Sequence, residues 1–111
     1  METIEIIPYT TDTGKQPFFE WSRKLAPKTL AVVMARLARV RKDNFGDCKS
    51  IKGSRGLFEL RIDYGAGYRV YYGKVGTTIV VLLVGGDKGS QERDIAKAKQ
   101  YWLDFKERDN G

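Results

Sequence analysis

The feature that most constrains this chain is the stretch 56–88, GLFELRIDYGAGYRVYYGKVGTTIVVLLVGGDK, which reads as two hairpins in series. Phe58, Leu60, Ile62 and Tyr64 alternate with Glu59, Arg61 and Asp63, and a period of two marks a strand with one covered face. Gly65-Ala66-Gly67 supplies two glycines that take positive φ freely, so the chain can turn back there. Tyr68, Val70 and Tyr72 then alternate with Arg69 and Tyr71. A second break at Gly73-Lys74-Val75-Gly76 leads into Ile79-Val80-Val81-Leu82-Leu83-Val84, apolar on both faces as an inner strand requires. Arg61 and Arg69 fall on the more polar face of this sheet. Lys88 lies just past the end of its most buried strand.

The flanking segments supply what covers the sheet. Residues 3–9 read as an opening strand, and Pro8 must end it or hold it to an edge because proline donates nothing to a ladder. A polar loop, 10–14, precedes a first helix over 16–25, where Pro17 suits a first-turn position and Phe18, Trp21 and Leu25 share a face. Pro27 opens a second helix reaching about Asn44, with Leu30, Val33, Met34, Leu37 and Val40 at helical spacing. Lys28, Arg36, Arg39 and Lys42 lie on its other side, with Arg41 near the boundary; solvation and helix C-terminal charge complementarity are the plainer reading, for Arg41 and Lys42 above all, and contact with an acidic partner or RNA is the weaker alternative for the rest. Residues 45–55 read as a glycine-broken loop in which Lys49, Lys52 and Arg55 either follow a phosphate backbone or form a solvated connector. Asp87 or Ser90 can cap a last helix whose Ile95, Ala98, Trp102 and Phe105 form an apolar seam, before a tail at 109–111 that is expected to fray. The expected architecture is α+β, in the order β-α-α-β-β-β-α: a mostly antiparallel four-stranded sheet covered by a helical hairpin and a C-terminal helix.

Composition narrows the chemistry. With 111 residues there is room for one domain, and no apolar run approaches a membrane span, so a cytoplasmic domain without a signal peptide is expected. The single Cys48 offers no intramolecular disulfide. There is no histidine, which removes the commonest general acid–base group and, with one cysteine, leaves no zinc site. No metal or cofactor is called for. A net charge of +6 points to a polyanionic partner, nucleic acid first, although a basic solvated surface accounts for it equally well.

The ordered set Glu59-Leu60-Arg61, Gly67-Tyr68-Arg69-Val70-Tyr71-Tyr72, Leu82-Leu83, Gly86-Asp87-Lys88 and Gln91-Glu92-Arg93-Asp94-Ile95, ending in Ala98, resembles the RelE/ParE toxin superfamily. Its nearest branch is the addiction-module killer, or HigB-like, toxins of type II toxin–antitoxin systems. Each tripeptide alone is weak; the ordered set over some forty residues is specific.

The resemblance implies a RelE-like fold and a toxin that is neutralised by a cognate antitoxin, a helix-turn-helix, HigA-like protein encoded downstream. Most RelE- and HigB-like members are mRNA interferases, endoribonucleases that cut mRNA in the ribosomal A site by attack of a ribose 2′-OH on the adjacent phosphorus. ParE-like members instead poison DNA gyrase. By this resemblance Arg61 and Arg69 fall where the superfamily places active cations on adjacent strands, able to clamp one phosphate. Lys88 corresponds roughly to a basic residue used against the leaving group or phosphate. Tyr71 is a candidate for stacking on a base, and Gln91 for orienting RNA. The plainer readings are carboxylate pairing for the arginines, with Glu59 or Asp63 for Arg61 and Glu92 or Asp94 for Arg69, and a helix N-terminal polar residue for Gln91. The chain departs from the family in two places: Ala96 stands where ribosome-dependent members commonly carry a terminal Tyr or His, and Glu59 stands where some carry another cation. A gyrase inhibitor without nuclease activity and a non-toxic nucleic-acid-binding relic are the alternatives.

Overall fold

A computed structural model describes residues 3–109, without the side chain of Asp109. The expected fraying of 110–111 lies outside the described residues.

Strand β1 (Glu5–Pro8) is followed by helices α1 (Pro17–Ser22) and α2 (Pro27–Arg41), then strands β2 (Cys48–Ser50), β3 (Leu57–Ile62), β4 (Tyr68–Val75) and β5 (Ile79–Asp87). A single 3₁₀ turn, Lys88–Ser90, leads into α3 (Gln91–Asp109). The sheet order is β1-β5-β4-β3-β2. Only β1 is parallel to its neighbour; the other three pairings are antiparallel. The α+β class and the mostly antiparallel sheet are as expected, but the described residues form five strands rather than four. The added strand comes from the supposed loop 45–55, where Cys48, Lys49 and Ser50 pair with Leu60, Glu59 and Phe58. Three polar or small residues carry too little period to announce a strand; backbone pairing with β3 makes it one. Both helices of the hairpin also stop short of their expected ends.

Proline opens both α1 and α2, where its missing N–H costs nothing. Their apolar stripes cover one face of the sheet: Phe18, Val33, Leu37 and Val40 pack against Leu60, Ile62, Val70, Tyr72, Val80 and Leu82. Arg36, expected on the solvated side of α2, is turned inward instead. Its guanidinium donates to the carbonyls of Phe45 (3.0 Å) and Arg61 (2.9 Å), tying α2 to the end of β3. Burial, and next the charge of Arg39, lower its pKa from the ordinary arginine value.

Helix α3 covers the opposite face, packing Ala98 and Trp102 on Leu57, Tyr71, Val81, Leu83 and Val84. Strand β4 therefore continues through the expected break at Gly73. Trp102 lies so close over Gly73 that no side chain fits between them. A register shift opposite Tyr71 and Tyr72 leaves Leu83 as an extra residue on β5. Consequently Leu83 and Val84 both enter the α3-side core, and Gly86 comes to lie opposite Arg69. That shift sets the face on which the candidate site is built.

Candidate functional site

The face read from sequence as the polar one is covered over half its length. Glu59, Arg61, Arg69 and Tyr71 all lie on the α3 side of the sheet, and α3 begins beside them. Residues under the helix are sealed: Glu59 and Tyr71 have no exposed surface. Side chains just beyond its first turn emerge. Thus the Arg61 side chain is 38% exposed and that of Arg69 is 14% exposed.

Arg61 and Arg69 are directly paired across β3 and β4, as expected for a two-arginine clamp. Like charges at opposed positions repel, and a buried carboxylate resolves that conflict. One Glu59 oxygen, Oε2, accepts from Arg61 Nε at 3.1 Å and from Arg69 Nη1 at 2.8 Å. The other, Oε1, accepts from Gln91 Nε2 at 2.9 Å. Burial disfavours the ionised form of Glu59, but the hydrogen bonds from Gln91 and Arg61 and the charges of Arg69 and Arg61 outweigh it. The carboxyl is held below its ordinary value. It is an anchored anion, and so a poor general base.

The arginines open on a groove of about 370 Å³ lined also by Lys88, Tyr68, Asp47 and Asp63. Lys88 reaches it because the 3₁₀ turn is fixed at both ends. Asp87 caps it by accepting from the N–H groups of Gly89 and Ser90, and the Lys88 N–H donates to the Gly67 carbonyl at 2.8 Å. Three cations face one groove from three chain segments. They can hold an anion of phosphate size: both Nη atoms of Arg61 and Nη2 of Arg69 have no hydrogen-bond partner among the described residues.

The other candidates are dispersed. Tyr71 cannot stack on a base, because the same α3 packing that makes the second core encloses its ring entirely. Among the described residues its hydroxyl has no hydrogen-bond partner, as is also true of Arg69 Nε. Burial, then the negative charges of Glu59 and Asp94, push that phenol's pKa up. Gln91 is committed to Glu59 rather than free to orient RNA. Lys49 sits on β2 opposite Glu59, while exposed Lys52 and Arg55 lie on the connection to β3, outside the groove. Arg55 contributes its carbonyl, which accepts from the Trp102 indole at 2.8 Å.

A Haemophilus influenzae (strain ATCC 51907 / DSM 11121 / KW20 / Rd) protein described as uncharacterized is 47% identical to this chain over 83 residues, covering 74% of this chain and 82% of the relative. The chain belongs to that protein's family. No protein-family profile matches it. The link from Glu59 to Arg69 goes beyond the pairing with Arg61 expected from sequence; its signal is the spacing Glu59-x-Arg61 on one strand face with Arg69 opposite. No helix of the described residues is long and apolar enough to cross a membrane.

Proposed function

We propose that this protein is the toxin of a type II toxin–antitoxin module, with a RelE-like fold of the HigB-like branch, acting in the cytoplasm as a ribosome-dependent mRNA endoribonuclease. The observation that carries the reading is the cross-strand pair Arg61 and Arg69, anchored by one carboxylate and facing Lys88 across an open groove. The ribose 2′-OH attacks the neighbouring phosphorus in line, the bond to the 5′-oxygen breaks, and a cyclic phosphate and a 5′-OH result. In this reading charge growing on the phosphoryl oxygens is met by the two guanidiniums, and Lys88, which lines the same groove, is the cation for the leaving oxygen or the phosphate. Neutralisation falls to a helix-turn-helix antitoxin encoded downstream.

A second reading is favoured by one feature. Among the described residues, the one carboxylate hydrogen-bonded to the arginines is sealed and held ionised, so proton transfer would fall to Asp47, Asp63 or the Tyr68 phenol in the groove. A protein that binds a phosphate without cleaving it, as a gyrase inhibitor or a nucleic-acid-binding domain would, needs no such group.

A short induced pulse in growing bacteria, with mRNA 5′ ends mapped against Arg61→Ala and Arg69→Lys, tests both. New 5′-OH ends inside translated codons, lost in the variants, are the expected result. Growth arrest with intact mRNA and an induced DNA-damage response selects the gyrase reading. No arrest at all removes the toxin reading.

A further inference from the structure

We infer that Glu59, supported by Gln91, is the positioning device of the arginine clamp: it sets the spacing and orientation of both guanidiniums and leaves their phosphate-binding edges free. The inference rests on the phosphate-cleaving reading for its activity readout, but its geometry is independent of that reading.

A carboxylate beneath a phosphate-binding pair is, on charge alone, the wrong sign. It lowers the attraction of the groove for a polyanion. Its retention at a fully sealed position needs a return, and the hydrogen bonds supply one. Arg61 is held through Nε and Arg69 through Nη1 by the same oxygen. Each planar guanidinium is thereby fixed at one nitrogen while at least one terminal amine of each remains unpaired among the described residues. Without Glu59 two like charges on paired strand positions would splay apart into solvent, and the clamp would have to be assembled at each encounter. The second oxygen is occupied by Gln91 at the first position of α3, which stops the carboxylate from rotating. Glu59 therefore sits where two strands and a helix meet, and the three hydrogen bonds leave it little freedom. The same chain of contacts accounts for Ser90 and Asp94. Their side chains bond to each other over Gly86, where a Cβ would collide with the Asp94 carboxylate, so the first turn of α3 is seated directly on the strand position opposite Arg69.

The two views of Glu59 predict opposite signs. If it merely offsets charge, Glu59→Gln tightens RNA binding and raises cleavage. If it positions, the same change leaves ribosome engagement unchanged or tighter while the chemical step fails. The experiment compares wild type, Glu59→Gln and Gln91→Ala in single-turnover cleavage of mRNA on programmed ribosomes, with solvent exchange of the Arg61 and Arg69 side-chain N–H groups followed by ¹⁵N NMR. Expected are a fall of about thirtyfold or more in maximal rate for Glu59→Gln, with no rise in the half-saturating concentration, and about three- to tenfold for Gln91→Ala. Exchange at Arg61 Nε–H should rise at least about tenfold in Glu59→Gln. Unchanged or faster cleavage, or a loss confined to the half-saturating concentration, overturns the positioning role. If wild type itself cuts no mRNA, the nuclease reading fails and NMR decides alone: unaltered protection in Glu59→Gln overturns the inference, and protection lost at the Arg61 and Arg69 side chains while the backbone amides of β3 and β4 stay protected sustains it. Gln91→Ala, which leaves both ion pairs in place, keeps the test valid if Glu59→Gln does not fold.

Discussion

Replacing Gly73 with alanine should destabilise the protein, although backbone arguments alone predict the reverse. Gly73 is an interior strand residue whose φ is not in the left-handed region. Alanine there would restrict the unfolded chain and stabilise by about 0.4–1 kcal/mol if it fitted. It does not fit. An alanine Cβ would stand 2.6 Å from Trp102 Cη2 and nearer still to Cε3 and Cζ3. Restoring ordinary contact requires the indole to retreat by about 1 Å. Retreat is resisted: the ring is buried, stacks on Phe105 at 5.7 Å, and donates from Nε1 to Arg55. Overpacking costs about 1–3 kcal/mol, and an approach this close to a held ring falls at about 2–3 kcal/mol, leaving a net loss of about 1–2.5 kcal/mol after the backbone gain. For a chain of this size that corresponds to a melting temperature lower by roughly 5–10 °C. Urea and thermal melts followed by circular dichroism measure it, and a double-mutant cycle identifies the cause. In a Trp102→Ala background, itself destabilised by about 3–5 kcal/mol, Gly73→Ala should become neutral or stabilising. If Gly73→Ala alone is as stable as wild type, or the loss persists without the indole, the close-approach argument is wrong.

Four further outcomes follow from the same contacts. Arg69→Ala strips the nearest partner from a fully buried carboxylate and should cost about 3–5 kcal/mol, whereas Arg61→Ala, removing a partly exposed partner, should cost under about 1 kcal/mol; paired urea melts check the difference. Because the folded-state pKa of Glu59 lies below its unfolded value, its contribution is present above about pH 4.5 and is lost as pH falls through the folded value. Urea midpoints measured from about pH 7 to pH 3 should therefore decline less steeply in Glu59→Gln. Tyr71→Phe removes a buried hydroxyl that has no partner, so stability should stay level or rise by up to about 1 kcal/mol in thermal melts, and growth arrest should be unchanged. Neutralising exposed Lys49, Lys52 and Arg55 together should leave the melt within about 0.5 kcal/mol of wild type. If those three follow a phosphate backbone, the salt dependence of single-stranded RNA binding should flatten by up to about 2 in slope; no change assigns them to a connector.

The strands and helices with a strong period were legible from sequence because each carries its own pattern. Phe58 to Ile62 alternate, and the apolar residues of α2 return at helical spacing, so the order of elements followed without tertiary information. What was not legible lies where partners impose structure. Cys48–Ser50 becomes a strand only because β3 offers a free edge. Gly73 looked like a break because a glycine within a strand signals either a turn or a close approach, and the Trp102 that decides between them lies on α3. The pairing of Arg61 with Arg69 could be anticipated from two alternating strands around a turn. Burial of Tyr71 and Glu59 could not, since alternation says which residues share a face and nothing about whether a helix covers it. For the same reason helical spacing alone places Arg36 in solvent, when the carbonyls that receive it belong to residues 9 and 25 positions away.

The half-covered face also explains why a buried charge cluster persists in so small a protein. Had α3 begun a turn later, Glu59 would be wetted and its hold on the arginines weakened by competition from water. Had it begun a turn earlier, the arginines would be covered and the groove closed. The helix starts where Asp87 caps the preceding 3₁₀ turn, and that turn is placed by the extra β5 residue that brings Gly86 opposite Arg69. One register shift therefore fixes both how much of the sheet is sealed and which cations remain reachable. Were the full-length β5 paired without that shift, Gly85 would stand opposite Arg69, and Gly86 and Asp87 would turn to the opposite faces. The groove would lose the Lys88 wall even if the sheet itself survived, so the bulge belongs to the site as much as to the fold.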